Sequence, residues 1–153
     1  MVQEGDRIPD IELATPDGGR VRLRDYAGKP LVLYFYPKDD TSGCTREAQD
    51  FSRLYPEFRA LDAEVLGVSR DAPAKHLKFI DKYDLTIPLA TIEELADLEL
   101  FGAWVQKQLY GKTYMGIERA TFLFDAAGKC ARIWRRVKVP DHAAVVLEAV
   151  KAL

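Results

Sequence analysis

The spacing of apolar positions changes several times along the chain, and each change predicts an element. Short half-apolar runs at 11–14 and 20–23 flank TPDGG, a turn-rich pentapeptide, and predict an antiparallel hairpin. The densest apolar run, LVLYFY at 31–36, has no charged position and stops at Pro37, which predicts a strand buried on both faces. Over 42–61 the period lengthens, and Ala48, Phe51, Tyr55 and Phe58 fall on one face of a helix. VLGVS at 65–69 returns to strand. A strand, a helix and a strand of these lengths predict a right-handed βαβ unit with parallel strands.

In the second half, Leu77, Ile80 and Tyr83 stand at helical spacing within 74–83, and 93–101 is a weaker helical stretch. Strands at 120–124 and 131–137 are joined by DAAGK, whose Gly128 marks a hairpin. The final stretch, 141–153, is an amphipathic helix with Ala143, Val146, Leu147 and Val150 inward. A βαβ half followed by a ββα half predicts an α/β chain with a thioredoxin-like fold: a central mixed β-sheet flanked by helices, with an N-terminal β-hairpin. Open α/β sheets gather ligand chemistry beyond the carboxyl ends of their strands. The helix that follows the buried strand puts Cys44 there.

Composition narrows the partners. A chain of 153 residues suits one domain spanning 1–153, and 48% apolar with 30% charged residues excludes a disordered or fibrous protein. Lys plus Arg number 22 against 24 Asp plus Glu, a formal charge of −2, so the basic footprint of a nucleic-acid binder is missing. Neither a membrane span nor an apolar leader is seen, MVQEGDRIPD being polar, so the expectation is a cytoplasmic protein with no membrane partner. Two Cys and two His without CxxC or HxxxH spacing argue against a zinc site. No phosphate loop or dinucleotide fingerprint is present, so neither metal nor cofactor is expected.

Cys44 falls in the first turn of the predicted helix, where free backbone amides and the positive dipole end favour an anion. An ordinary thiol is only ~3% ionised at pH 7, and a helix terminus supplies about 0.3 to 2 kcal/mol, so a reactive thiolate needs a cation as well. Local chemistry alone leaves two alternatives: a small packing residue, or a reactive thiol lying near solvent beside the polar, turn-like segments KDD and TSG.

The segment FYPKDDTSGCTRE resembles the active-site segment of peroxiredoxins of the bacterioferritin comigratory protein or Q-type branch. Their signature is Pro, three residues, Thr, two residues, Cys, here Pro37, Thr41 and Cys44. The likeness continues through GVSRDAPAKHLKFIDKY, YGKTYMGIERATFLFD and WRRVKVPDHAAVVLEAV, nearly the whole chain. It implies thiol-dependent reduction of hydrogen peroxide and organic hydroperoxides, serving antioxidant defence, with Cys44 as the nucleophile that becomes a sulfenic acid. By the same resemblance the Thr41 hydroxyl bonds thiolate and peroxide, Pro37 shields the pocket and Arg119 pairs with the thiolate. The leaving oxygen gains negative charge as the O–O bond breaks, so Arg119 and the amides near Gly43 and Cys44 suit the transition state. Glu47 either orients Arg119 or favours the helix start.

The chain departs from the commonest Q-type pattern, in which a second cysteine follows the first by five positions; Gln49 stands there, and no cysteine lies in 74–83. If 120–124 runs antiparallel to 31–36, Cys130 sits on the order of 15 to 20 Å from Cys44, too far for a disulfide, which needs Cα atoms within about 7 Å. The expectation is a one-cysteine cycle in which an external thiol, from thioredoxin, glutaredoxin with glutathione or another dithiol protein, reduces the sulfenic acid. Monomer is the default state, with a dimer left open. A thiol–disulfide oxidoreductase would need Cys-x-x-Cys, whose fourth position is Glu47. A non-catalytic chaperone is disfavoured because Pro37, Thr41, Cys44 and Arg119 occur together. His76 and His142 are expected at solvated helix positions. Trp104, Tyr110 and Tyr114 either line the peroxide pocket or pack at its rim or in the core.

Overall fold

In the computed structural model, which describes residues 1–153, TPDGG closes the expected hairpin between β1 (Glu12–Ala14) and β2 (Arg20–Arg22). A 3₁₀ turn, Leu23–Tyr26, leads into β3 (Leu31–Phe35), every residue of which is buried. Then follow α1 (Ser42–Ala60), β4 (Glu64–Ser69), α2 (Pro73–Tyr83), β5 (Leu89–Thr91) and α3 (Leu95–Leu100). The chain continues through β6 (Trp104–Leu109), β7 (Lys112–Ile117), β8 (Ala120–Phe124), β9 (Cys130–Trp134) and α4 (His142–Lys151). Seven strands form one mixed sheet in the order β2-β1-β5-β4-β3-β8-β9, and β6 with β7 makes a separate two-stranded sheet.

β3 lies between parallel β4 and antiparallel β8, with Phe35 opposite both Val68 and Ala120. Side-chain alternation along β3 therefore divides two cores. Leu31, Leu33 and Phe35 join Phe101 and Phe122 on one face; Val32, Tyr34 and Tyr36 join Phe51, Phe79 and Val146 from α1, α2 and α4 on the other. Gly67, opposite Tyr34 on β4, keeps that second face flat: a Cβ there would lie 2.7 Å from the Tyr34 ring carbon Cζ and 2.8 Å from Leu89 Cδ2. Tyr34 can then stack on Phe51 of α1, with ring centroids 4.6 Å apart.

Pro56 lies inside α1 and has no N–H to give the Ser52 carbonyl four residues earlier. The Thr86 hydroxyl donates to that carbonyl instead, at 3.2 Å, while the Thr86 amide donates to the Ser52 hydroxyl at 3.1 Å. No helix is long and apolar enough to cross a membrane.

Three departures from the predicted elements have physical causes. β5 is only three residues long, and its run PLAT was too short to stand out from loop. The β6–β7 hairpin turns at Tyr110 and Gly111, both at positive φ (51° and 76°), the geometry of a tight two-residue turn. On α2 the buried residues are His76 and Phe79, whereas Leu77 is 50% exposed. The expectation that His76 and His142 are solvated is wrong, because each ring finds a buried polar partner that periodicity cannot register. His142 is bonded to the Thr121 hydroxyl at 2.8 Å, and burial, then the Arg119 charge, hold its imidazole down at about 4.

Candidate active site

α1 begins beyond the carboxyl end of β3, after Tyr36 and the five-residue turn 37–41. Thr41 occupies the N-cap in extended conformation but makes no side-chain capping bond, so the first-turn amides are not taken up by a side chain. Cys44 lies in that turn and is 2% exposed. Its sulfur is reached from β8's side: Arg119, the residue before β8, comes to the same sheet end because Phe35 pairs with Ala120.

Arg119 spans two partners with its two terminal nitrogens. Nη2 donates to Cys44 Sγ at 3.3 Å, and Nη1 donates to Glu47 Oε1 at 2.6 Å. Gly43 allows this approach, since a Cβ on it would sit 3.2 Å from Nη2. Glu47 is 1% exposed, and its second oxygen has no hydrogen-bond partner. Burial pushes its carboxyl up to about 7, offset only in part by the guanidinium beside it. The Arg119 guanidinium is held charged by Glu47 and Cys44 against the opposing effect of burial. A cation fixed this way stabilises negative charge both on sulfur and on an oxygen bonded to it.

The Thr41 hydroxyl donates to the Lys38 carbonyl at 2.8 Å, rather than to sulfur. Pro37 forms one wall of a groove of about 400 Å³, with Trp104, Lys107, Tyr114, Met115 and Ile117 among its other walls. Of the aromatic residues preceding Arg119, Trp104 and Tyr114 thus line a pocket, whereas Tyr110 sits 95% exposed at the β6–β7 turn. Lys107 in this groove has a lowered proton affinity, chiefly from burial and next from the charge of Arg119. The resemblance supplied no role for Lys107, and the apolar pattern predicts no element there.

Cys130 is a free, buried thiol at the start of β9. It belongs to the core on the opposite sheet face from Cys44, and it pairs with Phe124, at the other end of β8 from Arg119. Burial pushes its thiol up to about 11.

Comparison with known proteins places relatives beside this geometry. The model of the AhpC/TSA family matches residues 4–133. Peroxiredoxin Bcp of Bacillus subtilis is 47% identical over 150 residues, covering 98% of this chain and 96% of that protein. Peroxiredoxin Bcp of Xanthomonas campestris is 45% identical over 143 residues, covering 94% and 89%. Among solved structures, the X. campestris bacterioferritin comigratory protein, studied for alkyl peroxide reduction in trapped intermediate and ligand complexes, superposes with a TM-score of 0.90. That match has 42% identity and covers 98% of both chains. A cysteine-to-serine mutant of Xylella fastidiosa PrxQ superposes with a TM-score of 0.93 at 37% identity, covering 99% of this chain and 97% of the other.

Proposed function

The chain belongs to the AhpC/TSA family as a peroxiredoxin of the Bcp/PrxQ kind, a thiol-dependent peroxidase, and from that premise we propose that Cys44 is its nucleophile. The observation that carries this is the Cys44 Sγ–Arg119 Nη2 contact at 3.3 Å, anchored from behind by Glu47. Cys44 thiolate attacks the terminal oxygen of ROOH; the S–O bond forms as the O–O bond breaks. Sulfur loses two electrons, the peroxide gains them, and the leaving alkoxide takes a proton to depart as alcohol or water. Arg119 and the first-turn amides of α1 stabilise the charge on the separating oxygens. Pro37 walls the groove, and Thr41, once its hydroxyl leaves the Lys38 carbonyl, donates to the peroxide. Hydrogen peroxide and organic hydroperoxides are both substrates, the groove taking the organic group.

Resolution is external. An incoming thiol displaces water from the sulfenic acid to give a mixed disulfide, and a second thiol releases Cys44 with formation of a disulfide elsewhere. The separation of Cys130 from Cys44 across the sheet supports this one-cysteine cycle. Thioredoxin or glutaredoxin with glutathione fits as reductant, and the enzyme acts as a cytoplasmic monomer made of a single domain. Mixing reduced protein with one equivalent of hydrogen peroxide while following Trp104 and Trp134 fluorescence tests the assignment. Wild type reacts far faster than free cysteine, Cys44→Ser does not react, and Cys130→Ser keeps thiol-driven turnover. A slow wild type would remove the nucleophile assignment; a dead Cys130→Ser would remove the one-cysteine cycle.

A further inference from the structure

The sheet end that carries Cys44 holds a second cluster of buried polar groups, which peroxide reduction as described does not employ. Tyr36 and Asp39 lie between β3 and α1, and His76 lies on α2; both side chains of the Asp39–His76 pair are 0% exposed. His76 Nε2 stands 3.1 Å from the Ala90 carbonyl oxygen on β5, which can only accept, so Nε2 carries a proton. His76 Nδ1 stands 2.6 Å from Asp39 Oδ2, within hydrogen-bonding distance. The Tyr36 hydroxyl donates to the other Asp39 oxygen. The Asp39 amide donates to Asp71 Oδ2 at 2.8 Å, and the Asp71 carboxylate is itself held by the Ser69 hydroxyl and the Lys75 ammonium. With the side-chain polar atoms of Asp39 and His76 all satisfied in a buried site, the network admits one arrangement.

The next residue repeats the connection. Asp40 has φ of 61°, in the left-handed region, and its carboxylate accepts from the Lys82 ammonium and the Tyr83 hydroxyl, both on α2. Both acidic side chains of the 37–41 turn therefore end on the same helix. Within the turn, by contrast, the one side-chain hydrogen bond is that of Thr41 to the Lys38 carbonyl.

We infer that His76 is a positioning residue for peroxide reduction: by gripping Asp39 it holds the 37–41 turn, and with it Pro37, Thr41 and the first turn of α1, in register with Arg119. The inference rests on Cys44 being the nucleophile. Asp39 is two residues from Pro37 and two from Thr41, so a displacement there is passed to both. Misplacement of a reacting group by about 1 Å costs on the order of 100-fold in rate.

The two ring nitrogens separate this role from a merely structural one. Nδ1 grips the turn, while Nε2 only ties α2 to β5. Asparagine at 76 retains a donor at the Nδ1 position and none at Nε2; glutamine does the reverse. The test is the second-order rate constant for oxidation by hydrogen peroxide, from tryptophan fluorescence, in wild type, His76→Asn, His76→Gln and Asp39→Ala, with urea midpoints recorded alongside. His76→Gln and Asp39→Ala are expected to fall at least tenfold, with His76→Asn within threefold of wild type. Equal losses in His76→Asn and His76→Gln, or a loss below tenfold in His76→Gln, would overturn the positioning role. If His76→Gln does not fold, Asp39→Ala decides in its place, because it leaves the His76–Ala90 contact intact; a loss below tenfold then overturns it. A wild type oxidised no faster than free cysteine would instead overturn the assignment of Cys44 on which the inference stands.

Discussion

Replacing Glu47 by glutamine should stabilise the folded protein at neutral pH while slowing its reaction with peroxide. Glu47 is 1% exposed, its Oε2 is unpartnered, and its carboxyl is pushed from an ordinary 4.5 to about 7. The folded state thus binds the Glu47 proton more tightly than the unfolded state does. Its contribution to stability is complete below pH 4.5 and is lost as pH rises through about 7. At 1.36 kcal/mol per pH unit the whole loss is about 3 kcal/mol. Glutamine has nearly the same shape, still offers an oxygen to Arg119 Nη1, and cannot ionise. Glu47→Gln should match wild type near pH 4.5 and exceed it by up to about 3 kcal/mol at pH 8. Urea unfolding of both proteins across this range measures the difference, and the other titrating groups, common to both, largely cancel. Activity should move the other way: a neutral acceptor holds the guanidinium about 1 kcal/mol less firmly, so oxidation of Cys44 by peroxide slows roughly fivefold. A variant less stable than wild type at pH 8, or a stability difference that does not shrink toward pH 4.5, would refute this account of Glu47.

Arg119→Lys places a single nitrogen where two reach Sγ and Oε1, at 3.3 and 2.6 Å, and should lower the peroxide rate constant by about 100-fold in stopped-flow fluorescence. Gly43→Ala adds a Cβ 3.2 Å from Arg119 Nη2; the rate should fall severalfold while the thermal midpoint stays near that of wild type, because Gly43 is not among the positive-φ residues. Iodoacetamide at pH 7, followed by mass measurement, should alkylate Cys44, whose sulfur the Arg119 guanidinium contacts at 3.3 Å, before Cys130, whose thiol is pushed up to about 11 with no such cation bonded to it; equal rates would contradict activation of Cys44 by Arg119.

Much of the sheet's centre is legible in the apolar pattern because β3, β4 and β8 are buried on both faces. LVLYFY predicts a strand buried on both faces and supplies β3, and the four inward residues expected on α4, Ala143, Val146, Leu147 and Val150, are all buried. The motif spacing Pro37, Thr41, Cys44 was equally visible, since those residues lie close together along the chain. The α2 stripe was misjudged because His76 occupies a core position that a hydrophobe would ordinarily hold. Its burial depends on Asp39, 37 residues earlier, and on the Ala90 carbonyl. β5 and the β6–β7 hairpin were missed because three residues are too few to show a period and because both strands of the hairpin stand outside the main sheet.

Local residue order sufficed to set the strand–helix junction at Cys44, because backbone geometry within a few residues governs where a helix begins and which amides it leaves free. Residue order likewise revealed that no second thiol lies near Cys44 along the chain. Arg119, 75 residues away, reaches the sulfur only because β8 pairs antiparallel with β3. The same packing buries Glu47 behind it and puts Cys130 on the far face. Charge placement, unlike hydrophobic period, depends on which distant segments meet, and strand pairing is what brings them together.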